Sequence, residues 1–393
     1  MESVHYIPRS VEAAVRHHLA RGKSVLLLGP RQTGKTTLLE RIEADLRLSL
    51  ITPAARQRYE RTPDALLAEI AALGRRGARP LVIVDEVQKV PALLDVVQAA
   101  IDRKLARFVL SGSSARKLRR GGVNLLPGRI VSLRLDPLSL DELPRPDLET
   151  LLLFGSLPGI WTVPDVGDRE ADLVSYVQSY LEEEIRAEAL VRNVGVFARF
   201  LELAGLESGN LVSFRRLSQE IGVAHTTIAG FYEILEDCLV AERVDPLSRS
   251  RTRKKLTRSS RHVIFDLGVR RLCAGEGTRP SRERWGQLFE QFVGLELIRL
   301  ARSRTAGATV LFWRDPDGPE VDWIVAGGGG YVPVEAKWTE RPGAGDIRHL
   351  ATFLDEYPTA ERGFVVCRTP RRMRLGDRID AIPWQELPAI IDK

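Results

Sequence analysis

Cysteine and long apolar runs are scarce in this sequence of 393 residues. The three cysteines, Cys238, Cys273 and Cys367, stand apart with no C-x-x-C pair, which disfavours a zinc ribbon or a disulfide framework. No apolar run approaches the roughly 18 residues of a membrane-spanning helix. The first residues also lack the basic and then apolar pattern of a signal peptide. We therefore expect reduced thiols, a cytoplasmic location and no membrane association.

Length and charge set the next limits. A chain of 393 residues is too long for a single compact core, and its 44% hydrophobic and 28% charged residues are typical of a globular protein. The 58 Lys and Arg against 52 Asp and Glu give a formal charge of +6. This excess of basic residues is modest overall, but it is unevenly distributed along the chain, and basic clusters can indicate a binding surface.

The strongest motif is a phosphate-binding loop. An apolar strand, Ser24–Leu28, leads into G-x-x-x-x-G-K-T and then a helix. The glycines let the loop wrap a phosphate chain, so that backbone N–H groups face the anion. We expect Lys35 to reach the outer phosphates and the Thr36 hydroxyl to bind Mg²⁺. The predicted nucleotide-binding residues are Gly29, Pro30, Arg31, Gln32, Thr33, Gly34, Lys35, Thr36 and Thr37.

Two carboxylates follow a second apolar run, at 81–84. The run is typical of a buried parallel strand whose carboxyl end opens on the nucleotide. Asp85 is the predicted partner of Mg²⁺, and Glu86 is the predicted base that aligns the attacking water. The alternative is a solvated turn. Beside a phosphate-binding loop, the pair favours hydrolysis over binding alone.

Two further residues complete the predicted catalytic set. Ser113 follows the apolar segment 108–110, and we expect it to contact the γ-phosphate or hold the water. Arg129 precedes the strand at 130–133 and is the candidate arginine finger, which would reach the nucleotide of a neighbouring subunit. A surface arginine in a basic stretch is the alternative interpretation of Arg129.

Changes of pattern divide the chain into four predicted domains. Residues 1–140 alternate strands and helices, as in a doubly wound parallel sheet. Residues 141–205 have helical periodicity and form a predicted lid, 206–278 a winged helix-turn-helix, and 279–393 an α/β domain. We thus expect an α/β protein with a helical insertion.

The third of these domains carries the predicted DNA contacts. Residues 213–236 have the pattern of two helices around a Gly-Val turn, with His225, Thr226 and Thr227 opening the recognition helix. The segment 249–262 has no acidic residue and occupies the position of a wing along a phosphate backbone. Its predicted DNA-binding residues are Arg251, Arg253, Lys254, Lys255 and Arg258. A packing module and a solvated basic loop are the alternatives.

The last domain resembles a restriction endonuclease in its pattern. Strands at 309–313, 320–325 and 332–337, the last two forming a hairpin, present Asp322 and then Glu335-x-Lys337. Asp322 and Glu335 are predicted to hold Mg²⁺, Lys337 to position water, and Glu290 to add a carboxylate from the preceding helix. Charges that alternate along an exposed strand are the alternative, and catalysis stays open.

Short motifs throughout the chain carry a family resemblance. They are G-P-R-Q-T-G-K-T-T from Gly29, V-D-E from Val84, S-G-S-S from Ser111, L-P-G-R from Leu126, D-P-L-S from Asp136, F-D-L-G from Phe265, E-V-D from Glu320 and E-A-K from Glu335. With them the sequence resembles a prokaryotic family of AAA+ type P-loop ATPases whose C-terminal domain of unknown function resembles the PD-(D/E)XK nuclease fold. The chain departs from it at Gly155–Pro158, G-S-L-P where relatives often have Gly-Gly-x-Pro.

The resemblance and the motifs together predict an ATPase that acts on DNA. We expect ATP and Mg²⁺ as cofactors and a homo-oligomer, for which a hexamer is one candidate, that remodels or translocates branched or forked DNA. A nucleotide-switched regulatory or defence protein is one alternative. An ATP-dependent endonuclease is the other.

Overall fold

The chain folds into two compact units in a computed structural model. The structure describes residues 6–73, 79–114, 128–181, 194–247, 259–304, 307–315 and 318–391. Unit 1 comprises residues 1–138 with 234–240, and unit 2 comprises 139–233 with 241–393. Unit 1 thus ends close to the predicted boundary at 140. The predicted boundaries after 205 and 278 both fall inside unit 2.

Unit 1 is built on a five-stranded sheet. Its elements are α1 (Ser10–Ala20), β1 (Ser24–Leu28), α2 (Lys35–Glu40), β2 (Leu46–Ser49), α3 (Pro53–Arg61), α4 (Ala65–Ala72), β3 (Leu81–Asp85), α5 (Leu93–Asp102), β4 (Arg107–Gly112) and β5 (Ile130–Arg134). The strand order is β2-β3-β4-β1-β5, and every pairing is parallel. The predicted parallel sheet is confirmed.

The sheet is parallel because both of its faces are apolar. All residues of β1 and β3 are buried. Leu26 and Leu28 enter one core cluster, while Val25 and Leu27 enter another. Alternate side chains point to opposite faces of a strand, so these apolar runs need a helical layer on each side. The carboxyl ends of β1, β3 and β4 consequently share one edge.

Unit 2 begins with helices. They are α6 (Leu148–Phe154), α7 (Pro158–Trp161), α8 (Val166–Ser175), a π-helical turn (Tyr176–Leu181), α9 (Val194–Leu206), α10 (Phe214–Ile221), α11 (His225–Asp237) and α12 (Leu267–Cys273). The last turn of α11, from residue 234 onward, is assigned to unit 1. The strands β6 (Ala241–Val244) and β7 (Arg261–Ile264) pair antiparallel between α11 and α12. Helix α10 begins at the Ser213 cap and ends at Gly222, whose φ of 80° suits glycine. Both predicted helices of the helix-turn-helix are present. The predicted wing residues 251–258 lie outside the described residues.

The G-S-L-P and F-D-L-G motifs pack against each other inside unit 2. The buried Asp266 carboxylate accepts hydrogen bonds from the backbone N–H groups of Ser156, at 2.7 Å, and Val269, at 3.1 Å. Gly155 has a φ of +71°, and a Cβ there would lie 2.0 Å from Asp266 Oδ1. Glycine is therefore required at this position both for its backbone conformation and for space.

The rest of unit 2 is a mixed sheet with two helices. Its elements are α13 (Arg282–Arg304), β8 (Thr309–Arg314), β9 (Glu320–Gly327), β10 (Gly330–Lys337), α14 (Arg348–Glu356), β11 (Gly363–Cys367), β12 (Met373–Gly376) and β13 (Ile379–Pro383). The order is β12-β13-β11-β10-β9-β8. Strands β9 and β10 form the predicted antiparallel hairpin, and β10 runs parallel to β11.

None of the helices in the described part of the chain is long and apolar enough to cross a bilayer.

Replacing Gly155 by alanine should destabilise unit 2 more than the same change at Gly275. Gly275 also has a positive φ, +64°, but open space around it, so Gly275→Ala gives the cost of a Cβ at positive φ without a collision, about 1 to 2 kcal/mol. Gly155 combines its positive φ with a ψ of −158°, a region that is essentially restricted to glycine. Gly155→Ala adds a collision with Asp266, which we expect to cost about 2 kcal/mol more. Urea unfolding of both variants measures the difference. Equal losses would show that the loop moves away from Asp266 without cost.

Candidate functional site

The loop between β1 and α2 has the tight geometry that the glycine pattern predicts. A Cβ at Gly29 would lie 2.3 Å from the carbonyl oxygen of Leu135, so no larger residue fits. Gly34 has a φ of +91° and begins α2. Thr33 is buried and its hydroxyl donates to the Pro30 carbonyl at 2.8 Å. The first backbone N–H groups of α2 have no partner within the helix, as at the start of any α-helix, and they follow directly after this loop.

Lys35 and Thr36 at the start of α2 form hydrogen bonds with the loop and with the end of β3, and their predicted contacts with phosphate and Mg²⁺ stay predictions. The buried Lys35 ammonium donates to the carbonyl oxygens of Gly29, at 2.8 Å, and Pro30, at 2.9 Å. The Thr36 hydroxyl donates to Asp85 Oδ2 at 2.9 Å. Residues 49 positions apart in the sequence thus meet at the end of the sheet.

Asp85 is held from two sides. Its second oxygen, Oδ1, accepts a hydrogen bond from the Ser111 hydroxyl on β4, and Ser111 Oγ in turn accepts from the Glu86 N–H at 3.0 Å. A hydroxyl and a carboxylate side by side are oxygen ligands of the kind that Mg²⁺ prefers. Thr36 and Asp85 therefore fit the predicted ion.

The Glu86 carboxylate is restrained by two polar side chains. It accepts hydrogen bonds from Gln88 Nε2 and from the Ser113 hydroxyl, the latter at 3.3 Å. Gln88 Nε2 also donates to Ser113 Oγ at 3.0 Å. Glu86 itself has a φ of 59°, a conformation that costs a non-glycine residue about 1 to 2 kcal/mol. Such strain concentrates at functional sites.

Gln88 and Arg9 were not among the residues predicted for this site. Gln88 lies on a 3-10 turn, Val87–Lys89, which directs its amide back onto Glu86. The buried Arg9 guanidinium donates to the carbonyl oxygens of Thr33, at 2.6 Å, and Asp136, at 2.7 Å. It thereby ties the phosphate-binding loop to the segment after β5.

Arg129 forms an ion pair within unit 1. Its Nε lies 2.5 Å from Asp102 Oδ1, and its side chain is 37% exposed. An arginine finger would have to leave this partner, and the predicted role stays a prediction. The predicted contacts of Arg31, Gln32 and Thr37 with nucleotide also stay predictions.

A second cluster of charged side chains lies in unit 2. Asp322 on β9 accepts from the Ala336 N–H at 3.0 Å. The Lys337 ammonium lies 2.7 Å from Glu335 Oε2 and 4.0 Å from Asp322 Oδ2. Glu290 on α13 lies in the same cluster, where Arg261 Nη1 donates to its Oε1 at 3.0 Å and to the Asp322 carbonyl at 3.3 Å.

Burial and mutual repulsion shift the proton equilibria of this cluster. Burial, followed by the charge of Asp322, raises the pKa of Glu290 to about 8 and holds the pKa of Glu335 well above its ordinary value. Burial alone would lower the pKa of Lys337, but Asp322 and Glu335 outweigh it and raise that pKa. All three pKa values thus move upward, those of the two carboxyl groups chiefly because of burial and that of the lysine because of its acidic neighbours.

The predicted set of three metal-binding carboxylates does not form. In the described ranges, no group of three or more His, Cys, Asp or Glu side chains converges to hold a metal ion. Glu290 is engaged by Arg261 from β7, and Lys337 lies against the other two carboxylates. Nearby cations thus balance the negative charge in this structure.

The predicted recognition residues open α11. His225 and Thr226 are exposed there, and Thr227 is partly exposed. Their contact with DNA stays a prediction.

Comparison with known families identifies the class of unit 1. Residues 21–144 match the family model of an AAA domain. Together with the loop geometry, this match supports an AAA-type P-loop ATPase. Residues 145–279 match a domain of unknown function, DUF8612, and residues 285–387 match another, DUF4143.

Several curated proteins are similar along the chain. The uncharacterised protein Rv2008c of Mycobacterium tuberculosis is 27% identical over 381 residues, which cover 96% of this chain and 84% of that protein. An uncharacterised protein of Haemophilus influenzae is 22% identical over 259 residues, 62% of each chain.

Two solved structures show distant likeness. One, of two Pif1 helicases that unwind forked double-stranded DNA, is 14% identical with a TM-score of 0.23 and covers 44% of this chain and 52% of its own. The other, of Thermococcus gammatolerans McrB AAA+ hexamers with bound McrC, is 14% identical with a TM-score of 0.21 and covers 48% and 46%. At these TM-scores the likeness carries no argument.

Proposed function

We propose that this chain binds ATP with Mg²⁺ in unit 1, hydrolyses it, and couples hydrolysis to DNA binding. The observation that carries the proposal is the 2.9 Å hydrogen bond between Thr36 and Asp85, beside the buried Lys35. A lysine at the outer phosphates and an adjoining hydroxyl and carboxylate for Mg²⁺ are the parts that P-loop hydrolysis uses.

Each residue has a distinct role in the proposed reaction. Thr36 and Asp85 would hold Mg²⁺, which would supply positive charge against the negative charge that develops on the phosphate oxygens. Glu86 orients the attacking water, and Ser113 and Gln88 hold its carboxylate in position. Arg9 keeps the carbonyl of Thr33 fixed, and with it the loop.

DNA is the proposed partner of unit 2. The order α10, α11, β6, β7 suits a winged helix, and His225 and Thr226 are exposed at the start of its second helix. Within the basic run at 249–262, the basic residues up to Arg258 suit phosphate contacts, whereas Arg261 and His262 are buried on β7. We further propose a homo-oligomer in which Arg129 leaves Asp102 to reach a neighbour's nucleotide, and a preference for forked or branched DNA.

Replacing Lys35 by alanine should abolish ATP binding and turnover, because it removes the ammonium that reaches the outer phosphates. Lys23→Ala is the matched control, since Lys23 is exposed just before β1. Glu86→Gln should bind ATP and hydrolyse it about 100-fold more slowly or worse. Phosphate release and calorimetric ATP binding, each without DNA and with linear, forked and four-way DNA, measure these effects.

Wild-type turnover in Glu86→Gln would contradict the role given to that carboxylate. If ATPase activity is normal but no DNA substrate binds or stimulates it, the result favours the alternative of a nucleotide-switched regulatory protein.

A second candidate function is Mg²⁺-dependent cleavage of DNA by the cluster in unit 2. Asp322 and Glu335 lie together on neighbouring strands, and Glu335 Oε1 accepts no hydrogen bond within the described residues. These two carboxylates fit one Mg²⁺, with Lys337 beside both of them to position a water. When bound, Mg²⁺ would lower the pKa of that water and stabilise the leaving oxygen.

Glu335→Gln should eliminate any Mg²⁺-dependent nicking of plasmid DNA, because it removes a charged ligand while it keeps the side-chain shape. The control is Glu361→Gln, at an exposed glutamate just before β11. Conversion of supercoiled to open-circular plasmid is the measurement. Nicking by Glu335→Gln at the wild-type rate, or none by the wild-type protein, would rule out this cluster as a nuclease site.

A further inference from the structure

Two tryptophans are stacked face to face at one edge of the sheet in unit 2. Trp285 on α13 and Trp338, directly after β10, have ring centroids 5.3 Å apart and planes within 6° of each other. Both are partly exposed, whereas Trp313, Trp323 and Trp384 are buried. The stacked pair is therefore partly accessible to solvent, unlike the three tryptophans in the core of the unit.

The topology of the sheet brings an arginine to the same pair. Strands β10 and β11 run parallel with Lys337 opposite Cys367, so the next residues, Trp338 and Arg368, leave the sheet at one edge. The Arg368 N–H donates to the Thr339 carbonyl at 2.8 Å, which joins the two segments. The guanidinium carbon of Arg368 lies 4.2 Å from the centroid of the Trp338 ring.

The surroundings of the pair are rich in cations. Arg371 and Arg372 are exposed on the segment that follows Arg368, and Lys337 immediately precedes Trp338. Arg368 is paired with the exposed Glu340, and Arg372 with Glu386 at 3.2 Å. Exposed ion pairs contribute only about 0 to 1 kcal/mol, so these guanidinium groups can exchange a carboxylate for a phosphate at little cost.

A partly exposed stack of two tryptophans and a guanidinium group among cations suits one class of ligand. Unpaired nucleobases stack on aromatic and guanidinium planes while their phosphates are held by Lys and Arg. In a duplex the faces of the bases are already covered by their neighbours. We propose that Trp285, Trp338 and Arg368 form a stacking platform for unpaired bases of single-stranded DNA.

This inference rests on the proposed DNA binding. It adds to that proposal a particular binding site and a preference for single-stranded DNA. Trp338 adjoins Lys337, so a strand stacked on the platform would pass the Asp322–Glu335 cluster. The platform requires bases as well as phosphates. That requirement separates it from the basic run at 249–262, for which phosphates are sufficient.

Two oligomers of equal length and charge test the platform. One is oligothymidylate of about 12 nucleotides, and the other is an abasic oligodeoxyribose phosphate of the same length. Each carries a fluorophore for anisotropy, and unlabelled copies are used for tryptophan quenching. Wild-type protein should bind the thymidylate about tenfold more tightly than the abasic chain, with quenching by the thymidylate only.

Trp338→Leu should weaken binding of the thymidylate about tenfold, leave affinity for the abasic oligomer unchanged and reduce the quenching. Trp338→Phe should retain most of the affinity because it keeps an aromatic face. Trp161→Leu, at the partly exposed tryptophan of α7, is the matched control and should behave as wild type. The wild-type comparison of the two oligomers needs no variant, so it stands even if Trp338→Leu misfolds.

Equal wild-type affinity for the two oligomers would overturn the platform while DNA binding stands. Unchanged thymidylate affinity in a folded Trp338→Leu protein would do the same. If neither oligomer binds and duplex and forked DNA fail as well, the proposed function fails together with the platform.

Discussion

The hydrogen bonds of Asp85 are the constraint on which the nucleotide end of unit 1 depends. One carboxylate oxygen accepts from Thr36 at the start of α2, and the other accepts from Ser111 on β4. A buried carboxylate is costly unless both of its oxygens find donors. Three segments distant in sequence are therefore fixed together, and Ser111 extends the connection to the backbone of Glu86. The positions of Lys35, Ser113 and Gln88 relative to one another therefore depend on the hydrogen bonds of Asp85, which join the start of α2 to the ends of β3 and β4.

In the charged cluster of unit 2 the carboxylates lie close to one another, whereas Asp85 in unit 1 is surrounded by hydrogen-bond donors. Burial and the charge of Asp322 raise the pKa values of Glu290 and Glu335, and Arg261 and Lys337 offset the repulsion. A site of this kind can exchange a proton or an ammonium for a divalent cation, because each of them balances the same negative charge. The same sheet edge carries the Trp338 stack. Charge and aromatic surface thus meet at the carboxyl end of β10.

Local signals predicted the parts of the fold that depend on neighbouring residues. The strand, glycine loop and helix around Lys35 are adjacent in sequence, and the hairpin of β9 and β10 is marked by apolar strands around a glycine tip. Long-range partners left no such signal. Arg9 donates to carbonyl groups 24 and 127 residues away, and backbone carbonyls look the same at every position.

The ion pair of Glu290 is another long-range contact that the sequence did not predict. The spacing of this glutamate from Asp322 and Glu335 suited a third metal ligand, but Arg261, 29 residues earlier on β7, pairs with it. The predicted division of 141–393 into three domains depended on changes of sequence pattern and stays a prediction. Gln88 had a local signal that was passed over, since a glutamine two residues after a carboxylate can turn back onto it.

The most direct test of the account is the effect of Mg²⁺ on ATP binding to Asp85→Asn. Calorimetric titration with ATP in excess Mg²⁺ and in EDTA gives the increment in affinity that the ion supplies. The account predicts a clear increment in the wild-type protein, its loss in Asp85→Asn, and similar affinity of both proteins for ATP in EDTA, because Lys35 and the loop remain. An undiminished increment in Asp85→Asn would contradict the assignment of Asp85 and Thr36 as the Mg²⁺ site.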